Sequence, residues 1–445
     1  MKFFKKSILI SLSISFYLLY CSQILAQNNL LIKGKVMDSE TKELLPFASI
    51  GIEGTSVGTA SNSAGYFEFR LNPSWADESK NKFIICSFVG YQPFKIKVSE
   101  AFQYSQSNQL VFELKPSESL KTVTISSKRI PKVDKIMKQV IKNLSENYPQ
   151  TPYNADFFYR EYLKDSTAYV RLVEAALHVY DKRSYVPIIY NYKNKATGRI
   201  EIQNLEEDYF AQVKERRASY DYSKSKINNF FIDVEYGTKY NWVRKNQFIF
   251  DKEMYEKFDY ELINLTSLGG KTVYEISFSY NGTIDRFRKL KGKVFVNEED
   301  FAVLQLHFSY LPIGTMGGYN AKERYGYNIY LENEEHFYFK KYGEKDDNNY
   351  LVSYQSLRST EKYYESSEAF EESVSEYFVE QLTVNVNLEN PVPQEMQDDS
   401  KLKEIIYNPA FWEDYNVLAD SPLNIKIKAD LEKRQSLEKQ FEIGK

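Results

Sequence analysis

Gly54-Thr55-Ser56-Val57-Gly58 spells G-x-S-x-G, the spacing with which a serine hydrolase lifts its nucleophile on a sharp strand-to-helix turn. Such an elbow needs a helix after the serine and a histidine to take its proton. Here the flanking runs PFASIGIEG and GYFEFRL both read as strands, and the first histidine is His178. The pentapeptide therefore reads as turn chemistry. Zinc hydrolysis needs closely spaced ligands, typically His-x-x-Glu with a distant histidine, to hold the metal with one position open. None of His178, His307 and His336 has Glu at the third following position; those positions hold Asp181, Tyr310 and Phe339. The three read as ordinary strand residues, His307 alternating with Gln305 and Ser309 on the less apolar side of its run, and their convergence in space stays open. Ser223-Lys224-Ser225-Lys226 matches S-x-x-K without a Ser-Asp-Asn or Lys-Thr-Gly companion. There is no glycine-rich phosphate loop and no Cys/His knuckle. The sequence thus assigns no catalytic, cofactor-binding or metal-ligating residue and implies no cofactor.

The elements that would position any site are mostly strands. Thirty-seven Tyr and thirty Phe stand beside only eighteen Gly among 445 residues, and aromatic side chains suit a half-buried pleated surface. The length suggests more than one domain. Formal charge is 58 − 61 = −3. Removing a leader that carries Lys2, Lys5 and Lys6 makes it −6, so no basic excess supports nucleic-acid binding.

Residues 1–26 fit a secretory signal: a basic start, an apolar run from Ile8 to Tyr20, and Ala26 before the cut. Cys21 raises the rival of a lipoprotein anchor, against which bulky Tyr20 stands immediately before it. After cleavage Cys86 is the one cysteine left, so an intrachain disulfide is impossible. In the run Phe83-Ile84-Ile85-Cys86 it reads as a small buried residue.

Residues 27–116 alternate as six or seven short strands with turn signals between them, the pattern of a small β-sandwich. The stretches IKGKVMDSETKELLPFASIGIEGTSVGTASNSAGYFEFRL and IICSFVGYQPFKIKV resemble the carboxypeptidase-regulatory-like domain. The resemblance rests on Gly34, Asp38, Leu45-Pro46, Ala48, Gly54-Thr55, Gly58-Thr59, Asn62, Gly65, Phe67 and Gly90-Tyr91. It implies a non-catalytic, transthyretin-like sandwich of the kind found at the N-termini of Bacteroidetes surface and outer-membrane proteins. Residues 117–131 read as a linker with one strand, KTVTIS. Val133, Ile136, Met137, Val140, Ile141 and Leu144 then recur at helical spacing and end near Tyr148-Pro149.

From there to about residue 390 the pattern is a β-meander, clearest in KTVYEISFSYN, FRKLKGKVFVN and FAVLQLHFSYL, which implies a larger α+β domain dominated by a curved antiparallel sheet. The hairpin KGKVFVNEEDFAVLQLHFSY is similar to that of lipoprotein-carrier half-barrels. Ile188–Tyr240 resists assignment, and Glu361–Glu376 reads as a solvated face or loop. Asp165-Ser166-Thr167 resembles a short O-glycosylation acceptor but reads first as a turn. Residues 391–445 read as a linker and a charged helical tail, with Trp412 and Tyr415-Asn416 packing back on the sheet. The tail lacks the alternating terminal strand of an outer-membrane barrel.

The chain is thus expected to be mainly β and exported, at the periplasm or outer membrane. Its leading role is a non-catalytic interaction or ligand-handling module, with an envelope protein or apolar ligand as partner. A peptidase-like hydrolase hidden in the second domain is the alternative, and a lipid or lipoprotein carrier the third reading.

Overall fold

The computed structural model describes residues 30–55, 57–71, 80–107, 109–117, 132–165, 168–186, 209–220, 241–280, 282, 288–312, 328–342, 349–364, 373–389, 406–420, 422–433 and 435–443. The leader, the KTVTIS strand and Ser223–Lys226 lie outside these residues, as do Ser166 and Thr167.

The alternation read in the first hundred residues folds as two layers. Strands β1 (Leu30–Asp38), β4 (Tyr66–Leu71) and β7 (Leu110–Leu114) form one sheet in the order β4-β1-β7. Strands β2 (Ser49–Ile52), β3 (Gly58–Ala60), β5 (Phe83–Ser87) and β6 (Phe94–Lys97) form the other, in the order β3-β2-β5-β6. Ile32, Val36, Phe67, Phe69, Ile84 and Phe112 fill the space between them, with Phe67 stacked on Phe112 at 5.1 Å between centroids. Cys86 is buried in this core, where loss of water pushes its thiol pKa up. Between β6 and β7 runs a helix absent from the sequence reading, α1 (Val98–Ser107). Its buried Val98 and Ala101, three residues apart, give it one apolar edge.

The second layer system is a single open sheet of ten strands. They are β8 (Tyr153–Asp165), β9 (Ala168–Asp181), β10 (Tyr209–Tyr220), β11 (Phe258–Leu268) and β12 (Lys271–Tyr280). The remainder are β13 (Arg288–Asn297), β14 (Val303–Pro312), β15 (Asn328–Tyr342), β16 (Asn349–Tyr364) and β17 (Ser373–Asn387). The spatial order is β10-β9-β8-β17-β16-β15-β14-β13-β12-β11, with every neighbour antiparallel. Strands β11 to β17 form a meander, and the last of them closes on β8. Gly269 and Gly270, at φ +62° and +82°, make the two-residue turn between β11 and β12 that a right-twisted hairpin favours. Two segments that the sequence left open take form here: residues 209–220 are edge strand β10, and both ends of Glu361–Glu376, read as a solvated face or loop, are paired strand, Glu361 opposite Ser375 and Thr360 opposite Glu376.

Both faces of this sheet are apolar, and both are covered. On one side lies α2 (Val133–Asn147), which buries Ile136, Met137, Val140 and Leu144 as its 3.6-residue periodicity requires. Beside it sits α3 (Trp242–Lys245), whose Trp242 stacks on Phe308 with centroids 3.6 Å apart. Arg244 of α3 makes a bidentate pair with Asp181, both sides 2.7 Å long and fully buried. The opposite face receives the sandwich and the C-terminal helices α4 (Pro409–Asp414), α5 (Pro422–Glu432) and α6 (Leu437–Ile443). No described helix is long and apolar enough to cross a membrane.

A buried charge cluster ties the C-terminal segment to the sheet. Arg160 Nε and Arg217 Nε hold the two oxygens of Glu174 at 2.7 and 2.5 Å, and Arg160 Nη2 also donates to the Leu418 carbonyl at 3.0 Å. Burial alone would raise the Glu174 pKa, but Arg217 and Arg160, with help from Lys428, hold it down to about 2. A carboxylate with a depressed folded pKa adds stability above its unfolded pKa and loses it as pH falls toward the folded value. Urea unfolding is therefore expected to show about 3 kcal/mol of stability vanishing between pH 4.5 and 2, and Arg217→Met should flatten that slope.

Candidate ligand site

Of the residues singled out for chemistry, His307 and His336 come together, while His178 and the Gly54–Gly58 turn stand elsewhere. Gly54 (φ +72°) lies in the turn from β2 to β3, closed by Thr55 N donating to the Ile52 carbonyl at 3.2 Å, and strands flank the turn on both sides. His178 pairs with Asp156, Nδ1 to Oδ1 at 2.6 Å, on strands β9 and β8. His307 and His336 face each other across β14 and β15 with ring centroids 4.6 Å apart. His336 Nε2 lies 3.0 Å from Glu334 Oε1. Burial, with His336 and Lys293 nearby, pushes the His307 pKa down to about 3. Among the described residues, no group of three or more His, Cys, Asp and Glu side chains gathers as a metal site.

What the fold does assemble is a junction. On β15 the side chains alternate: Phe337 and Phe339 enter the core under α2, while His336, Tyr338 and Lys340 occupy the other face. There Phe47 of the sandwich inserts its ring, 4.7 Å from Tyr354 and 5.2 Å from Tyr338. Phe47 sits at φ +63°, a left-handed conformation that is uncommon for a bulky residue. Ser61 holds it there: the Ser61 carbonyl accepts from Phe47 N at 3.0 Å, and Ser61 Oγ donates to the Leu45 carbonyl while accepting from Ala48 N, each at 2.8 Å.

Polar bonds fix the same junction at two other points. Asn416 bonds both backbone groups of Arg70, accepting from its N at 2.7 Å and donating to its carbonyl at 3.0 Å. Asn62 donates to the Ala419 carbonyl at 2.8 Å. On the far side, Gly90 N donates to the Ser267 carbonyl at 2.7 Å, and Tyr91 forms an isolated bridge to Leu268 of β11. Tyr415 packs back on the sheet, its hydroxyl donating to the Phe157 carbonyl at 3.1 Å, whereas its neighbour Asn416 serves the sandwich.

Between these attachments the two modules leave a cleft of about 200 Å³. Phe47, Phe88, Val89, Leu268, Leu304 and Phe339 contribute apolar wall. Lys271, Lys340 and Lys341 also line it, with Gln305 and Asn297. Lys340 reaches from β15 under the sandwich. A Cβ on Gly51 would stand 2.6 Å from its Nζ, and one on Gly58 3.3 Å, so two glycines of the β2–β3 hairpin make its berth. Gly58, the last residue of the G-x-S-x-G pentapeptide, is also needed because a side chain there would strike the Ile50 carbonyl at 2.6 Å. Although Lys340 is partly exposed as a residue, the packing around it removes enough water to lower its pKa to about 8. A second, much smaller cavity of about 10 Å³ lies on the α2-covered face against Tyr185, Asn241 and Val386.

The two-layer sandwich with its glycine turns defines a small β-domain, and the family model of the CarboxypepD_reg-like domain matches it: residues 32–125 belong to that family. No curated protein sequence matches the chain. Among solved structures, a putative outer membrane lipoprotein-sorting protein domain from Vibrio parahaemolyticus is similar over 59% of this chain and 96% of its own, at 9% identity and a TM-score of 0.23. A LolA superfamily protein from Nitrosomonas europaea gives 59%, 96%, 9% and a TM-score of 0.22. Scores of this size fall short of a shared fold.

The Phe47 seat makes two separable contributions, aromatic packing and backbone strain. Phe47→Ala is expected to cost about 2–3 kcal/mol in urea unfolding and to speed proteolysis between sandwich and sheet. Phe47→Gly should be milder by about 1 kcal/mol, because glycine accepts the positive φ.

Proposed function

We propose that this chain is an exported, non-catalytic protein of the cell envelope that handles a ligand at the junction of its two modules. The sandwich acts as a fixed cover on the ten-stranded sheet, and Asn416 and Ala419 of the C-terminal segment tie the two together. The observation that carries this reading is the cleft of about 200 Å³ whose apolar wall is built jointly by Phe47, Phe88 and Val89 from one module and Leu304 and Phe339 from the other. Ligand sites favour such concave, largely apolar boundaries between modules, with a few polar groups to orient the occupant. The sheet face under α2 supports a carrier cavity less well, because the space described there is about 10 Å³. Export draws on the basic start, apolar run and Ala26 of residues 1–26.

Ser353 of β16 lines the cleft and donates only to the Tyr338 carbonyl, at 3.1 Å. A tryptophan at that position would fill the space. The protein is expected to enhance the fluorescence of N-phenyl-1-naphthylamine, a neutral apolar probe, and Ser353→Trp to lose most of that enhancement with its urea midpoint retained. Undiminished fluorescence in the folded Ser353→Trp protein would sink the assignment of ligand handling to this cleft.

A further inference from the structure

The charges lining the junction cleft are of one sign. Lys271, Lys340 and Lys341 reach it, and no Asp or Glu among the described residues does. Two of these lysines are already occupied. Lys271 pairs with Glu299 at 2.5 Å, and Lys341 has partners of its own. Lys340 differs: among the described residues its ammonium has no hydrogen bond and no ion pair, only the Tyr342 ring 5.5 Å from Nζ and the backbone of the β2–β3 hairpin. The glycines at 51 and 58 let its Nζ lie close against the β2–β3 hairpin, where a Cβ at 51 would stand 2.6 Å from it and one at 58 3.3 Å, so the cation sits in a mostly apolar cleft. An ammonium drawn out of water without a partner costs free energy, and in such surroundings an arriving anion is attracted more strongly than it would be at a wet surface.

We propose that Lys340 is the counter-charge for an amphipathic anion, a carboxylate head carried on a short apolar chain. The head meets Nζ beneath the β2–β3 hairpin, and the chain lies against Leu304, Phe339 and Phe88. This rests on the ligand-handling reading of the same cleft and adds the class of ligand to it.

Other titratable groups facing the site set its pH behaviour. On β15 these are Tyr338 and Lys341; on β12, Lys271, paired with Glu299; on β16, Tyr350, bonded to Asp300; His336 and His307 are on the same sheet face beyond the lining. The sandwich presents Phe47, Ser49, Ala60, Ser87, Phe88 and Val89, none of them ionisable. Burial raises the pKa of Tyr338 and Tyr350 above the ordinary tyrosine value, and His307, held down to about 3, is neutral from pH 6 upward. With a pKa near 8, Lys340 is the group that changes charge between pH 7 and 9.5 by this account. Anion binding favours its charged form, so affinity should be level below pH 8 and decline above it.

The full-length protein would be titrated calorimetrically with octanoate, 1-octanol and inorganic phosphate, beside the neutral naphthylamine probe. Octanoate is expected to bind at least tenfold more tightly than either octanol or phosphate. It should weaken roughly tenfold or more between pH 7 and 9.5, and Lys340→Met should reduce it to the level of octanol. Lys340→Met removes a partly desolvated, unpaired charge and keeps the side-chain volume, so it should fold at least as stably as the parent. Equal binding of octanol, or an unaltered octanoate affinity in a folded Lys340→Met protein, would overturn the role of Lys340 while leaving the cleft as a ligand site. Phosphate binding as tightly as octanoate would overturn the amphipathic class. Failure of octanoate to bind while the neutral probe binds would sink this inference alone. Failure of both would take the ligand-handling reading with it.

Discussion

A ten-stranded open sheet with aromatic and aliphatic side chains on both faces has to be covered twice, and the rest of this molecule follows from that requirement. One cover is local in sequence to the sheet: α2 and the Trp242 segment press onto Phe308, Val294 and Leu306. The other is assembled from the two ends of the chain. The sandwich supplies Phe47 and Ala60, the C-terminal segment supplies Trp412, Val417 and Leu418, and together they close over Phe158, Tyr338 and Tyr354. A two-part cover leaves a seam. The cleft of about 200 Å³ is that seam.

Several polar groups in this second cover are satisfied within it, although Trp412 Nε1 is buried without a hydrogen-bond partner among the described residues. Asn416 and Asn62 cap backbone groups that would otherwise be stranded between modules, and Arg160 reaches the Leu418 carbonyl while holding Glu174. Buried polar groups that are bonded specify one arrangement, whereas apolar contact alone tolerates sliding. Against this background Lys340 stands apart. Those asparagines and Arg160 are hydrogen-bonded, and the Lys340 ammonium has no hydrogen bond and no ion pair among the described residues.

Much of the architecture was legible because it is periodic. The alternation of Ile32, Val36, Phe67 and Phe69 marked the sandwich, the spacing of Ile136, Val140 and Leu144 marked α2, and the runs around Gly292 marked the meander. Strand β10 escaped because charged Lys214, Glu215, Arg216 and Arg217 interrupt its apolar alternation; several of those charges are satisfied across strands, which composition cannot reveal. Helix α1 escaped because its short VSEAFQYSQS stretch carries too few apolar residues for a clear stripe. The site was hidden for another reason. Lys340 is one of 58 basic residues, and nothing local distinguishes it. The available signal was the alternation His336, Tyr338, Lys340, which sets a lysine on an aromatic face, but which module would cover that face depends on contacts made across the chain.

The bonds from Asn416 to Arg70 and from Asn62 to Ala419 join residues 346 and 357 positions apart. A chain made from its N-terminus can fold the sandwich early and the meander later, yet these two bonds cannot form until residues 416–419 have emerged. Contacts of such separation form late and slowly. These two bonds are accordingly among the last contacts between the modules to form, and their presence reports that synthesis has passed residue 419.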